Sequence, residues 1–411
     1  MSIYHPIIAE LRDELLSDVH DLDTAVKNAL KFNIPEMATY GIDSGEGFLK
    51  FADWLIRGWV PTESTSGRDI YYIICIFYFV LAQEPLGGRQ TSISPKNANK
   101  PLSPLSGWLV RFARTIGESM SKPESWNETS LKSFSNCPKC RVFEAEDPSN
   151  WKNFNQFFHR RLKKPRDIDS PDDDRTVVFP VDATFAGNYS ITDESEVIIK
   201  HLPWKVTDLL GKYGQHKVPG SNNKTTYGEL FKGGVWSHSF LNTYNYHRQH
   251  APVSGKVEVM DIIEGATYIE ISVNTDEKAD GHNRLSTHRP KDGKPAGVDT
   301  LQVSCDSGYQ FLQTRGLIII NNEKLGRVAV MPIGMAFVSS VNLHTELLGK
   351  TIKKGDEISY FAYGGSDCVV MFEEKAKVSN FPKMDAEHFY GKAFCKSNYI
   401  EADTAKTAGL E

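Results

Sequence analysis

The spacing of apolar residues changes about a third of the way along this 411-residue chain, and that change sets the fold class. Ile7, Ile8, Leu11, Leu15, Val19, Leu22, Val26 and Leu30 recur every three or four positions, the period that turns one helix face toward a core. Ile70 to Ala82 is apolar almost throughout and reads as a central helix buried on all sides, since a bilayer-spanning helix needs about 20 such residues. Pro85 to Pro104, rich in Pro, Gly, Ser and Asn, reads as an exposed loop. From about residue 150 short apolar alternations between Gly and Pro turns take over, the pattern of strands. The chain is therefore expected to be α+β: a helical N-terminal domain over 1–145 and a strand-rich domain over 146–411. The polar stretch Lys139 to Asn150 marks the boundary.

Composition removes several function classes. A net charge of −5 without a basic block gives no basis for nucleic-acid binding. Cys75, Cys137, Cys140, Cys305, Cys368 and Cys395 are too scattered for a disulfide framework. The start Met1-Ser2-Ile3-Tyr4-His5 lacks the charged and apolar regions of a signal peptide. A cytoplasmic protein without membrane contact is the expectation. His247 and His250, three apart, lack a third metal ligand, and Cys137-Pro138-Lys139-Cys140 is only half of a zinc ribbon, so no metal is expected.

The run Tyr360-Phe361-Ala362-Tyr363-Gly364-Gly365-Ser366-Asp367-Cys368-Val369-Val370 places Gly-Gly-Ser between two strand-like segments. Alone it is a common loop sequence. Held at a tight corner, its serine hydroxyl can attack the preceding carbonyl, aided by the backbone freedom of Gly365. Elimination from the resulting ester and hydrolysis would leave a new chain beginning with a pyruvoyl group.

Other segments give that bond a context. Tyr246-His247-Arg248-Gln249-His250-Ala251-Pro252-Val253-Ser254-Gly255 resembles the Y-H-R-x-H-[SA]-P-x-x-G signature of the phosphatidylserine decarboxylase family. Phe157 to Lys163, Val178 to Ala183, Trp204 to Gly211 and Gly326 to Gly334 resemble four further family motifs in family order. Gly365-Ser366 then falls at the family's processing site. Residues around Trp108 to Trp126 are similar to the helical domain that precedes the catalytic region in fungal L-tryptophan decarboxylases of the psilocybin pathway.

The resemblance implies roles. Ser366 would be the nucleophile and source of the pyruvoyl cofactor, His250 the base that activates it, and Asp182 the carboxylate behind His250. His247 would protonate Cα after CO2 departs. Ala183 replaces the glycine of the family's V-x-[SP]-x-D-G motif. The larger departure is Asp367, where the family usually carries threonine or serine: a carboxylate beside the scissile bond could act as an extra base, read the substrate, or impair processing.

The function expected is a zymogen that cuts itself between Gly365 and Ser366 and then decarboxylates a free L-amino acid, with aromatic ones first in line. Phosphatidylserine decarboxylation and an unprocessed, non-catalytic small-molecule binder are the alternatives, and a homo-oligomer is compatible with either. The basic run His159 to Lys164 could steer an anionic group or form a solvated face. Ala251 to Val259 and Thr351 to Phe361 resemble the paired halves of biotinyl and lipoyl carrier barrels, but no Met-Lys-Met-like attachment triplet accompanies them. Asn274 to Thr300 reads as a polar insertion or lid.

Overall fold

The computed structural model describes residues 4–16, 19–199, 201–221, 224–269, 271–279, 282–286, 308–337 and 341–399. The four longest helices among them are α1 (Val19–Leu30), α2 (Gly45–Arg57), α3 (Asp69–Leu81) and α4 (Pro104–Met120). Ser44 and Ser103 cap α2 and α4, each accepting a hydrogen bond from the backbone N–H three residues on. Apart from Asp69 and Tyr72, every residue of α3 is buried, as its uniform apolarity requires. Its Phe77 stacks on Phe112 of α4 at 4.6 Å and 2°.

The first apolar stripe is not one helix. An α-turn over Pro6–Glu10 loosens into a π-helical Leu11–Leu15 and stops at Leu16, whose ψ of 87° leaves the helical region. The break rotates the stripe, so Leu16 is buried whereas Leu30, at the end of α1, is 41% exposed.

The strand-rich part centres on an eight-stranded sheet. Its strands are β1 (Ala183–Ser190), β2 (Val235–Leu241), β3 (Gly255–Ile263), β4 (Arg315–Asn322), β5 (Gly326–Met335), β6 (Thr351–Ile352), β7 (Gly365–Phe372) and β8 (Glu387–His388). In space they run β6-β3-β4-β5-β7-β2-β1-β8, with every pair antiparallel. Alternation along β7 sends Cys368, Val370 and Phe372 into one apolar cluster and Val369 and Met371 into another. Both faces of the sheet are thus covered, which explains the near-continuous apolar runs of β4, β5 and β7.

The first cluster does not stop at residue 145. It joins α2, α3 and α4 to Phe179, Phe337, Tyr363 and Val370. Tyr78 of α3 donates to the Ala336 carbonyl at 3.0 Å. The expected boundary stretch is a series of 3-10 turns in which Cys140 and Ala145 are fully buried. The two carrier-like segments meet where β3 pairs with β6, Thr351 opposite Lys256 and Ile352 opposite Gly255.

The start of the expected polar insertion is ordered. Ser272–Ala279 and His282–Ser286 form a hairpin. It docks on the helical part, with Arg284 paired to Glu36 at 2.9 Å and Asn283 donating to the Phe32 carbonyl. Residues 287–300 of that insertion lie outside the described residues.

Candidate active site

Gly364 turns the chain into β7 with a φ of 148°, a region that favours glycine. Gly365, expected to supply the unusual angles, instead opens the strand, and Ser366 follows in register between Gly334 of β5 and Leu241 of β2. The candidate scissile bond therefore starts a central strand, flanked by partners on both sides.

His247 sits at this end of the sheet. Its carbonyl accepts the Phe361 N–H at 3.0 Å. Its ring lies face to face on Phe158 at 3.8 Å and 15°, and Phe158 in turn meets the edge of Tyr363 at 5.4 Å. His247 is fully buried, and neither ring nitrogen has a partner in good hydrogen-bond geometry. Burial, helped by the nearby Arg160 charge, pushes its pKa down to about 3. The backbone of Phe158 and of Asn242, the residue after Leu241, lies near enough to oppose part of that shift. Tyr363 is held by its own N–H on Asn155 Oδ1 at 2.8 Å and by Trp59 at 5.5 Å.

His250 occupies a different environment. Its Nδ1 lies 2.8 Å from the Gly355 carbonyl, which can only accept, so Nδ1 carries the hydrogen and Nε2 accepts from the Tyr246 hydroxyl at 3.0 Å. The ring stacks on Tyr390 at 3.8 Å and 5°, and burial lowers its pKa to about 4. Asp182 does not bond this imidazole. Its carboxylate takes the Arg166 guanidinium and the Tyr390 N–H, the latter at 2.9 Å. Burial raises the Asp182 pKa against the pull of Arg166. Aspartate and histidine thus meet through Tyr390 rather than directly, and no described hydrogen bond, ion pair or ring contact joins His250 to residues 367–372.

Asp367 is fully buried. Its Oδ2 accepts from the Tyr309 hydroxyl at 2.5 Å and lies 2.8 Å from His238 Nε2, while Oδ1 has no partner. Two cavities border other parts of this region. One of about 260 Å³ is lined by Arg141, Arg166, Asp182, Tyr246 and Glu387. The other, about 210 Å³, lies between Val110, Ala113 and Arg114 of α4 and Thr267, Thr314 and Gly334, the register partner of Ser366. Arg160, from the basic run, is buried and donates to the carbonyls of Cys140 and Tyr244, so it braces the fold and is no solvated charge. Among the described residues no group of three His, Cys, Asp or Glu could hold a metal ion.

Sequence reasoning missed His238, Tyr309, Arg166 and Tyr390. Only His238 carried a signal, as a lone imidazole inside the strand-like run Val235–Leu241. The others come from segments far apart in sequence.

A serine near the start of a central strand, preceded by two glycines, is the backbone setting in which the expected self-cleavage would occur. The comparisons supply the class. The sequence profile of the phosphatidylserine decarboxylase family matches residues 154–395, more than half of the chain, and the protein belongs to that family. A phosphatidylserine decarboxylase proenzyme of Fusobacterium nucleatum is 25% identical over 264 residues, covering 64% of this chain and 73% of the relative. One from Geobacillus kaustophilus is 28% identical over 225 residues, 54% of this chain and 68% of the relative. Phosphatidylserine decarboxylase proenzyme 2 of Oryza sativa is 27% identical over 273 residues, 65% of this chain but only 37% of that longer protein. Enzymes of this family are carboxy-lyases that use a pyruvoyl group formed from a serine by self-cleavage. The helices ahead of residue 154, where the likeness to tryptophan decarboxylases was read, fall outside the matched region.

The residues present fit such a group. The buried polar atoms without partners include the Tyr363 hydroxyl and Asp367 Oδ1, one on either side of Gly365–Ser366 in the chain, and both ring nitrogens of His247. Unsatisfied polar groups of this kind are costly and mark sites where chemistry happens.

Proposed function

We propose that the chain cleaves itself between Gly365 and Ser366 and that the processed enzyme decarboxylates the serine headgroup of phosphatidylserine. The observation that carries this is the position of Ser366 at the head of β7, in a chain whose relatives are phosphatidylserine decarboxylase proenzymes. The pyruvoyl carbonyl would supply an electron sink for the bond to CO2. His250, neutral with its Nε2 lone pair directed at Tyr246, takes the Ser366 hydroxyl proton once that hydrogen bond gives way; Asp182 acts on it through Tyr390. His247 would deliver the proton to Cα after CO2 departs. The cavity bounded by α4 and Gly334, the register partner of Ser366, would take the headgroup.

A free L-amino acid is the second reading. It is favoured by the wall that α4, outside the family match, places on that cavity. Among the described residues no helix is long and apolar enough to cross a membrane. The test is CO2 release from phosphatidylserine in mixed micelles against release from free amino acids in plain buffer. Turnover of the lipid alone supports the first reading; turnover of an amino acid alone replaces it with the second. A full-length chain inactive on both would make the protein the unprocessed relative.

A further inference from the structure

Self-processing needs two proton removals: one from the serine hydroxyl and a harder one from a backbone carbon. The second lacks an assigned base, and the structure holds a candidate. Asp367 is joined by one peptide bond to residue 366, is fully buried, and accepts the Tyr309 hydroxyl at 2.5 Å on Oδ2, with His238 Nε2 2.8 Å from the same oxygen. Gln310 Nε2 lies 3.3 Å from the same ring nitrogen of His238. The other carboxylate oxygen, Oδ1, has no partner. A buried carboxylate with an oxygen left unsatisfied destabilises the fold, and such costs persist where the group has a task.

We propose that Asp367 is the base for the elimination step, with His238 and Tyr309 as positioning residues. This rests on the self-processing reading above. First, Ser366 Oγ takes the Gly365 acyl group as the Gly365–Ser366 C–N bond breaks, giving an ester. The Cα–H bond of residue 366 then breaks and its proton passes to Asp367 Oδ1. The electron pair forms the Cα=Cβ double bond, the Cβ–Oγ bond breaks, and Gly365 leaves as a carboxylate. Water and loss of ammonia convert the remaining dehydroalanine into the pyruvoyl group.

Trapping the ester tests the step. Hydroxylamine splits an ester to a Gly365 hydroxamate and a 366–411 fragment with a free serine N-terminus, whereas completed elimination gives the same fragment with a blocked one. Asp367→Asn is expected to slow formation of the blocked fragment by roughly 10²–10⁴-fold, the span of general-base catalysis, while hydroxylamine still releases free Ser366. Tyr309→Phe keeps the shape of the site and is expected to slow elimination roughly tenfold, the loss of one hydrogen bond to a charge; it carries the test if Asp367→Asn does not fold. Blocked fragments at the wild-type rate in the folded variants overturn the inference. So does an Asp367→Asn chain that hydroxylamine cannot split, because that places the defect at the acyl shift. A wild-type chain never cut at Gly365–Ser366 removes the self-processing reading itself, and this inference with it.

Discussion

The two imidazoles of the Tyr246–His250 segment differ in what they touch, and that difference yields separate expectations. His250 spends both nitrogens, on Gly355 and Tyr246, whereas His247 spends neither. His250→Ala is expected to block self-cleavage. His247→Ala is expected to cleave and yet lose roughly 10²–10⁴-fold in turnover; full processing with normal turnover would remove its proton-transfer role. Both rings are also held neutral, near pKa values of about 3 and 4, while an unfolded histidine titrates near 6.5. Below 6.5 the unfolded chain binds protons that the folded chain refuses, so this stability is fully present above 6.5 and falls as the pH drops. In the Ser366→Ala chain, urea midpoints should therefore decline as the pH falls from about 6.5 toward about 4. Substituting His247→Phe should flatten the decline, by at most about 1.4 kcal/mol per pH unit. Arg166→Met strands the buried Asp182 carboxylate and is expected to cost about 3 kcal/mol, read from the same denaturation curves.

At the scale of elements, β7 owes its position to sequence that was easy to read. Its apolar residues alternate between two cores, and a Gly-Gly pair marks its entry. The helix at Ile70 to Ala82 was equally legible, because a segment apolar on every side must be buried somewhere. The first stripe was misread because periodicity cannot register a π-turn: Leu11–Leu15 keep their apolar spacing while the backbone slips by a residue. The Asp182–His250 pairing failed for another reason. Sequence places residue types in order but not which neighbour reaches them first, and here Arg166 and Tyr390 do. The cavity between α4 and Gly334 was invisible for the same reason, being built from two distant segments. It gives an element-level prediction: Ala113→Trp should fill the space, leave self-cleavage intact by mass, and abolish most turnover. Undiminished turnover would show that substrate takes another route.

At the scale of the whole molecule, the helical and strand-rich parts share one apolar cluster. α3 reaches Phe337 and Ala336 just beyond β5, and Trp59 braces Tyr363 at the entry to β7. The N-terminal helices therefore help to form the ground on which the scissile segment rests. Residues 146–411 expressed alone are expected to expose that surface, bind a hydrophobic dye and lack a cooperative unfolding transition. A cooperatively folding, self-cleaving 146–411 fragment would show that the helices are dispensable. The central claim, that this protein makes its own reactive group at Ser366, is tested most directly by the intact mass of the purified full chain under denaturing conditions. The account predicts two species, one ending at Gly365 and one spanning 366–411 with a blocked N-terminus, and a single full-length chain for Ser366→Ala. A wild-type chain that stays whole, or is cut at any other bond, would contradict it.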